Sequence, residues 1–205
     1  MNLPNSLTVT RIFLVPLLVV VLLTKFEGRH ILGVPKEIVG AAIFAIASLT
    51  DWLDGYLARR RKQITPLGQV IDPLADKLLT SAALISLVQL DLAQSWMVAV
   101  IIGREFAVTT LRSLAYARGV AMPASSLGKI KMGAQVVAIL ALILSNEEMP
   151  GSFLFWLVGQ GALWIVMVTA LVSAADYFRR FNDILSPRLA DFSVTRDTHT
   201  DRKAG

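Results

Sequence analysis

The sequence predicts an all-α integral membrane protein with six membrane-spanning helices. Three observations carry this. Of the 205 residues, 55% are hydrophobic and only 17% charged, with a mean hydropathy of +0.61, whereas a soluble domain is about one-quarter charged. The apolar residues fall into runs approaching the roughly 20 residues that a helix needs to cross a bilayer. Lysine and arginine gather in alternate connectors, as the positive-inside rule requires.

The first span is predicted over Leu7–Thr24, around the unbroken run IFLVPLLVVVLL. Met1 to Thr10 lacks a basic leader and no small-residue cleavage site follows, so this run reads as a retained span. The second starts near Glu37 and the third ends near Leu90. The fourth covers Ser95–Ala117, the fifth Leu127–Ser145 and the sixth Ser152–Phe178. Residues 1–185 form the membrane domain, and 186–205 turn polar, which predicts a loosely ordered tail. Arg59 to Lys62, then Arg118, Lys129 and Lys131, then Arg179 and Arg180 place the even-to-odd connectors and both termini in the cytosol. Lys25, Arg29 and Lys36 fall on the opposite side and disagree. With no cysteine, disulfides, thiolate metal sites and cysteine nucleophiles are excluded. Nothing points to a nucleic-acid partner.

The second and third spans reach crossing length only by including charge. Ile38 to Thr50 is 13 residues, so that helix must continue through Asp51 and Asp54 toward Arg59. The third must include Asp72 and Asp76, with Thr65 as its cap, Pro66 as its first residue and a kink at Pro73. In an antiparallel hairpin, residues at equal depth have nearly constant index sums. Asp51 is therefore level with Asp76, and Asp54 with Asp72. Asp51, Asp54, Gly55 and Ala58 share one helical stripe, and Gly68, Asp72 and Asp76 another. A charged aspartate costs about 2.5–3.5 kcal/mol at a bilayer centre, and four would raise one another's pKa values. Two divalent cations would cancel the charge. An all-oxygen donor set without histidine favours Mg²⁺, Mn²⁺ or Ca²⁺ over zinc. Two cations held by carboxylates recur in displacement at phosphorus. The bland alternative pairs these aspartates with Arg59, Arg60, Arg61 and Lys77, or sets them around a water-filled vestibule.

The pattern Asp-x2-Asp-Gly-x2-Ala-Arg-x8-Gly-x3-Asp-x3-Asp, from Asp51 to Asp76, resembles the full signature of the CDP-alcohol phosphotransferases. LPNSLTVTR near the start, GREF…LR at Gly103–Arg112, SSLGKIK at Ser125–Lys131 and DYF at Asp176–Phe178 resemble the bacterial phosphatidylglycerophosphate synthase branch of that family. Met132 stands where that branch often carries threonine. The resemblance implies a six-helix membrane fold, usually a homodimer, in a bacterial cytoplasmic membrane, with two metal ions below the cytosolic surface. It implies transfer of a phosphatidyl group from CDP-diacylglycerol to sn-glycerol 3-phosphate, with CMP released. It also implies that Asp76 is the general base.

On this reading Asp51, Asp54, Asp72 and Asp76 hold Mg²⁺. Gly55, Ala58 and Gly68 leave room for CDP-diacylglycerol, and Arg59 bonds its phosphates. The acceptor carries its own phosphate, and Arg104, Arg112, Lys129 and Lys131 are the candidate cations. For the lysines the alternative is topology charge; for Arg104 it is a buried pair. Glu105 could contribute to a network there, though adjacent helical residues point apart. Trp52, Trp96, Trp156 and Trp164 read as packing or interfacial residues, and His30 and His199 as isolated. Two rival readings are a related transferase using inositol phosphate, serine or phosphatidylglycerol, and a cation transporter. Against the transporter stand the clustering of the carboxylates near one surface and the lack of an inverted repeat.

Overall fold

In the computed structural model the described residues form six helices that follow the apolar runs, in the order expected. The backbone is described for residues 3–24, 30–31, 33–61, 66–117, 126–146 and 151–200, with side chains described for fewer of them. Helix α1 spans Leu3–Leu23. A two-stranded antiparallel ladder follows, β1 at His30–Ile31 and β2 at Val34–Pro35, with His30 opposite Pro35 and Ile31 opposite Val34. Gly33 takes φ +80° in the turn between them, a conformation that favours glycine. Then come α2 at Lys36–Arg61, α3 at Pro66–Gln89, α4 at Ser95–Ala117, α5 at Ser126–Ile143 and α6 at Ser152–Thr200.

The helix ends are satisfied by identifiable groups. Lys36 Nζ donates to the carbonyls of Leu22 and Thr24 at 3.1 and 3.3 Å, so the first residue of α2 closes the end of α1. This explains one of the three cations that disagreed with the charge rule: Lys36 serves a helix end. Glu37 lies in the first turn of α2, where a carboxylate suits the helix dipole, and accepts from Asn146 Nδ2 at 2.5 Å. Pro66 opens α3 as its first residue. Beyond Gln89, Asp91 turns to φ +58°, and the amides of Leu92 and Ala93 fold back onto the Leu87 carbonyl. Gln160 of α6 donates to the Leu92 carbonyl at 2.8 Å and pins that turn. Gly151, at φ +77°, starts α6, its carbonyl taking the amides of Leu154 and Phe155.

Every helix contributes to the core. Leu18 and Leu22 of α1, Phe44 and Ala47 of α2, and Leu79, Leu84 and Leu87 of α3 are buried with Met97 and Ile101 of α4. Ile139 and Leu142 of α5 and Leu163 and Val166 of α6 complete it. Helix α1 packs on α2 and α3, while α6 packs on α5 and α4. The α5–α6 contact depends on a missing side chain. A Cβ at Gly159 would stand 2.7 Å from Leu142 Cδ2 and Cγ and 3.1 Å from its backbone nitrogen. Gly159→Ala is therefore expected to lower stability by about 1–3 kcal/mol through overpacking. Gly161, with nothing within 4 Å of the same position, should accept alanine with stability unchanged or raised. Thermal unfolding in detergent separates the two variants.

Two features depart from the sequence-based expectation. The β ladder was not anticipated. The helical backbone of α6 also continues through the polar segment from 186 to Thr200, where composition predicts a loosely ordered tail. At 49 residues, α6 is about 70 Å long, more than twice a hydrocarbon core of about 30 Å. Its apolar part, Ser152–Tyr177, is long and apolar enough to cross a membrane, and among the described residues it alone is. Ile12–Leu23, Lys77–Gln89 and Lys131–Ile143 are shorter apolar helical stretches.

Candidate functional site

The carboxylate motif lies on two consecutive helices. Asp51, Asp54, Gly55, Ala58 and Arg59 occupy the last part of α2, and Gly68, Asp72 and Asp76 the first part of α3. Four residues, 62–65, separate the helices. The backbone stays helical through all four aspartates. The side chains of residues 51–76 lie outside the described residues, as does that of Lys129. The pairing of aspartates by depth lies outside them too. Chemically, four aspartates on two consecutive helices, with no thiolate in the chain, are the donor type that hard divalent cations take.

Directly after Asp76 the side chains are described, and they form an ionic cluster centred on Glu105 of α4. Its Oε2 accepts from Lys77 Nζ of α3 at 3.2 Å. Its Oε1 accepts from Arg104 Nη1 at 2.9 Å and also pairs with Lys131 Nζ of α5. Arg104 is held from its other side by α6: Nη2 donates to Ser173 Oγ at 2.5 Å and Nε to the Ala170 carbonyl at 3.3 Å. One carboxylate thus ties α3, α4 and α5 together, and Arg104 extends the tie to α6. The side chains of Lys131 and Arg104 are only 5% and 10% exposed. At that burial, removing one partner costs about 3–5 kcal/mol, because it leaves an uncompensated charge.

Two of the four predicted acceptor cations, Arg104 and Lys131, meet on this carboxylate. Arg112 does not join them. It is exposed, eight residues further along α4 and so about 12 Å away along the axis. Glu105 does join a network at Arg104, although adjacent helical residues point apart. Cα–Cβ directions do diverge at adjacent positions, but a guanidinium on a three-carbon stem reaches round to its neighbour's carboxylate. Ser173 and Lys77 were not singled out as partners. The available signal was the Arg104–Glu105 dipeptide itself, two charges inside an otherwise apolar run, which calls for partners on facing helices.

Residues 1–174 match the family model described as CDP-alcohol phosphatidyltransferase. The chain belongs to the CDP-alcohol phosphatidyltransferase family. Every predicted site position of this family member, from Asp51 to Lys131, falls inside the matched segment, as do Ala170 and Ser173. A Bacillus subtilis protein named CDP-diacylglycerol–glycerol-3-phosphate 3-phosphatidyltransferase is 47% identical over 184 residues, covering 87% of this chain and 94% of the relative. A Pseudomonas fluorescens protein of the same name is 38% identical, covering 87% and 89%. One from Pectobacterium atrosepticum is 33% identical, covering 91% and 98%.

Proposed function

We propose that this protein transfers the phosphatidyl group of CDP-diacylglycerol to sn-glycerol 3-phosphate, giving phosphatidylglycerophosphate and CMP. The observation that carries the proposal is the complete eight-position motif from Asp51 to Asp76, set on α2 and α3 within the family match. The glycerol 3-phosphate acceptor rests on the activity for which a relative 47% identical to this chain is named.

In this reading the acceptor hydroxyl attacks the phosphorus that bears diacylglycerol. Its proton passes to the Asp76 carboxylate, an oxygen–phosphorus bond forms, and the bond to CMP breaks. Asp51, Asp54, Asp72 and Asp76 would hold two Mg²⁺ ions, with Mn²⁺ an acceptable substitute. When bound, such cations neutralise the diphosphate and the charge that develops on it. Gly55, Ala58 and Gly68 admit the nucleotide, and Arg59 bonds its phosphates. Arg104, Arg112, Lys129 and Lys131 form the acceptor-phosphate site.

The protein would work as a homodimer in the bacterial cytoplasmic membrane, with six spans and both termini in the cytosol. The apolar exterior supports a membrane setting. Phe13 of α1, Leu49 of α2, Ile85 of α3 and Phe153, Leu154 and Val172 of α6 are all more than half exposed, which in water would promote aggregation. Trp96 and Trp164 are also exposed and meet edge to face at 6.0 Å, in keeping with an interfacial belt.

The test is CMP release by purified protein given CDP-diacylglycerol and Mg²⁺. Addition of glycerol 3-phosphate should start it. Release only with inositol phosphate, serine or phosphatidylglycerol would replace the acceptor. Release with none of them, together with cation flux in vesicles, would replace the enzyme with a transporter.

A further inference from the structure

We propose that Glu105 is a positioning residue of the acceptor site, holding Arg104 and Lys131 in place for the phosphate of glycerol 3-phosphate. The inference rests on the proposed function. Its basis is the two-sided use of the carboxylate: Oε1 takes Arg104 Nη1 at 2.9 Å and Lys131 Nζ, while Oε2 takes Lys77 Nζ at 3.2 Å. Lys77 is the residue after Asp76. One acidic side chain therefore fixes two candidate phosphate ligands, from α4 and α5, relative to the stretch of α3 that carries the proposed base.

A carboxylate is an odd choice beside a site for a phosphate dianion if attraction alone matters, because it subtracts from the pull of the cations. Its value lies in geometry. Arginine and lysine side chains have large rotamer freedom, and three cations drawn together repel. Glu105 offsets the repulsion and removes the freedom before substrate arrives. Ser173 Oγ and the Ala170 carbonyl hold the guanidinium of Arg104 from the far side. Ligands ordered in advance bind more productively than ligands that must be ordered on binding.

The experiment compares wild type, Glu105→Gln, Glu105→Asp and Ser173→Ala. It measures KM for each substrate, and glycerol 3-phosphate binding to the detergent-purified protein by titration calorimetry. Glu105→Gln should raise KM for glycerol 3-phosphate and weaken its binding at least tenfold, with KM for CDP-diacylglycerol changed less than twofold. Glu105→Asp, which keeps the charge, should recover part of the loss. Ser173→Ala, which removes only one far-side anchor, should raise the acceptor KM about threefold in a folded protein. An unchanged or lower acceptor KM in Glu105→Gln overturns the proposal, since charge attraction would then dominate. So does an equal rise in both KM values, which marks a merely structural role. Should Glu105→Gln not fold, Ser173→Ala decides, and an unchanged acceptor KM there overturns it. Wild type without glycerol 3-phosphate-dependent CMP release would instead refute the proposed function.

Discussion

Asp76→Asn is expected to yield a folded protein whose glycerol 3-phosphate-dependent CMP release falls by about 10²–10⁴-fold, the usual contribution of a positioned general base. Asparagine keeps the size of the side chain and cannot take a proton. It also removes one of four like charges crowded onto α2 and α3, so the fold should not suffer. In chelator the thermal midpoint should stay level or rise, because less repulsion remains. That pairing of effects, lost turnover with retained stability, distinguishes a chemical role from a structural one. The conservative Asp76→Glu change should also fail in large part, since one extra methylene moves the carboxylate by over an ångström in a site where such displacements are costly. Measured CMP release at saturating substrates is the check. Substantial turnover by Asp76→Asn would remove the base from this position and leave the metal-ligand role to be tested separately.

The backbone around that residue was legible because the sequence left little choice. The thirteen-residue, mostly apolar run from Ile38 to Thr50 is too short to cross a bilayer as a helix, so the expected span continues through Asp51 and Asp54, and α2 runs to Arg61. A proline at the head of an apolar run predicts a helix start, and α3 begins at Pro66. The fourth helix matches its predicted limits, Ser95–Ala117, because a polar connector precedes it and Arg118, Gly119 and Pro123 follow it. The ionic cluster was less legible. Arg104 reaches Glu105 directly, but only the positions of Lys77, Lys131 and Ser173 on three other helices show why both charges are there. Lys36, which disagrees with the charge rule, is explained in the same way, by a partner on another helix. Counting cations by connector cannot tell a residue facing lipid headgroups from one whose ammonium closes the preceding helix. The continuation of α6 to Thr200 was missed because polarity was read as disorder, although a polar segment can stay helical when it extends an apolar helix already formed.

Removing divalent cations is expected to abolish activity and, independently, to lower the thermal midpoint of the protein. Two aspartates fall in the C-terminal half of α2 and two in the N-terminal half of α3. Two like charges about 6 Å apart repel by roughly 3 kcal/mol at an effective dielectric of 20, so on the proposed reading several such pairs would strain the helix contact unless cations or protons relieved them. A cation that binds only the folded protein, present at a thousandfold excess over its Kd, adds about 4 kcal/mol. That gain should appear as a rise of several degrees when Mg²⁺ or Mn²⁺ is returned after chelation. The oxygen-only donor set predicts that both metals restore turnover and that Zn²⁺ does so poorly. The double variant Asp51→Asn with Asp72→Asn supplies the control, since it halves the carboxylates with little change in volume. It should lose turnover and also lose the Mg²⁺-dependent rise in thermal midpoint. An equal rise in wild type and double variant would put the stabilising cation elsewhere on the protein. No rise in either, with turnover unaffected by chelation, would leave the aspartates to the bland alternative of pairing with nearby arginines.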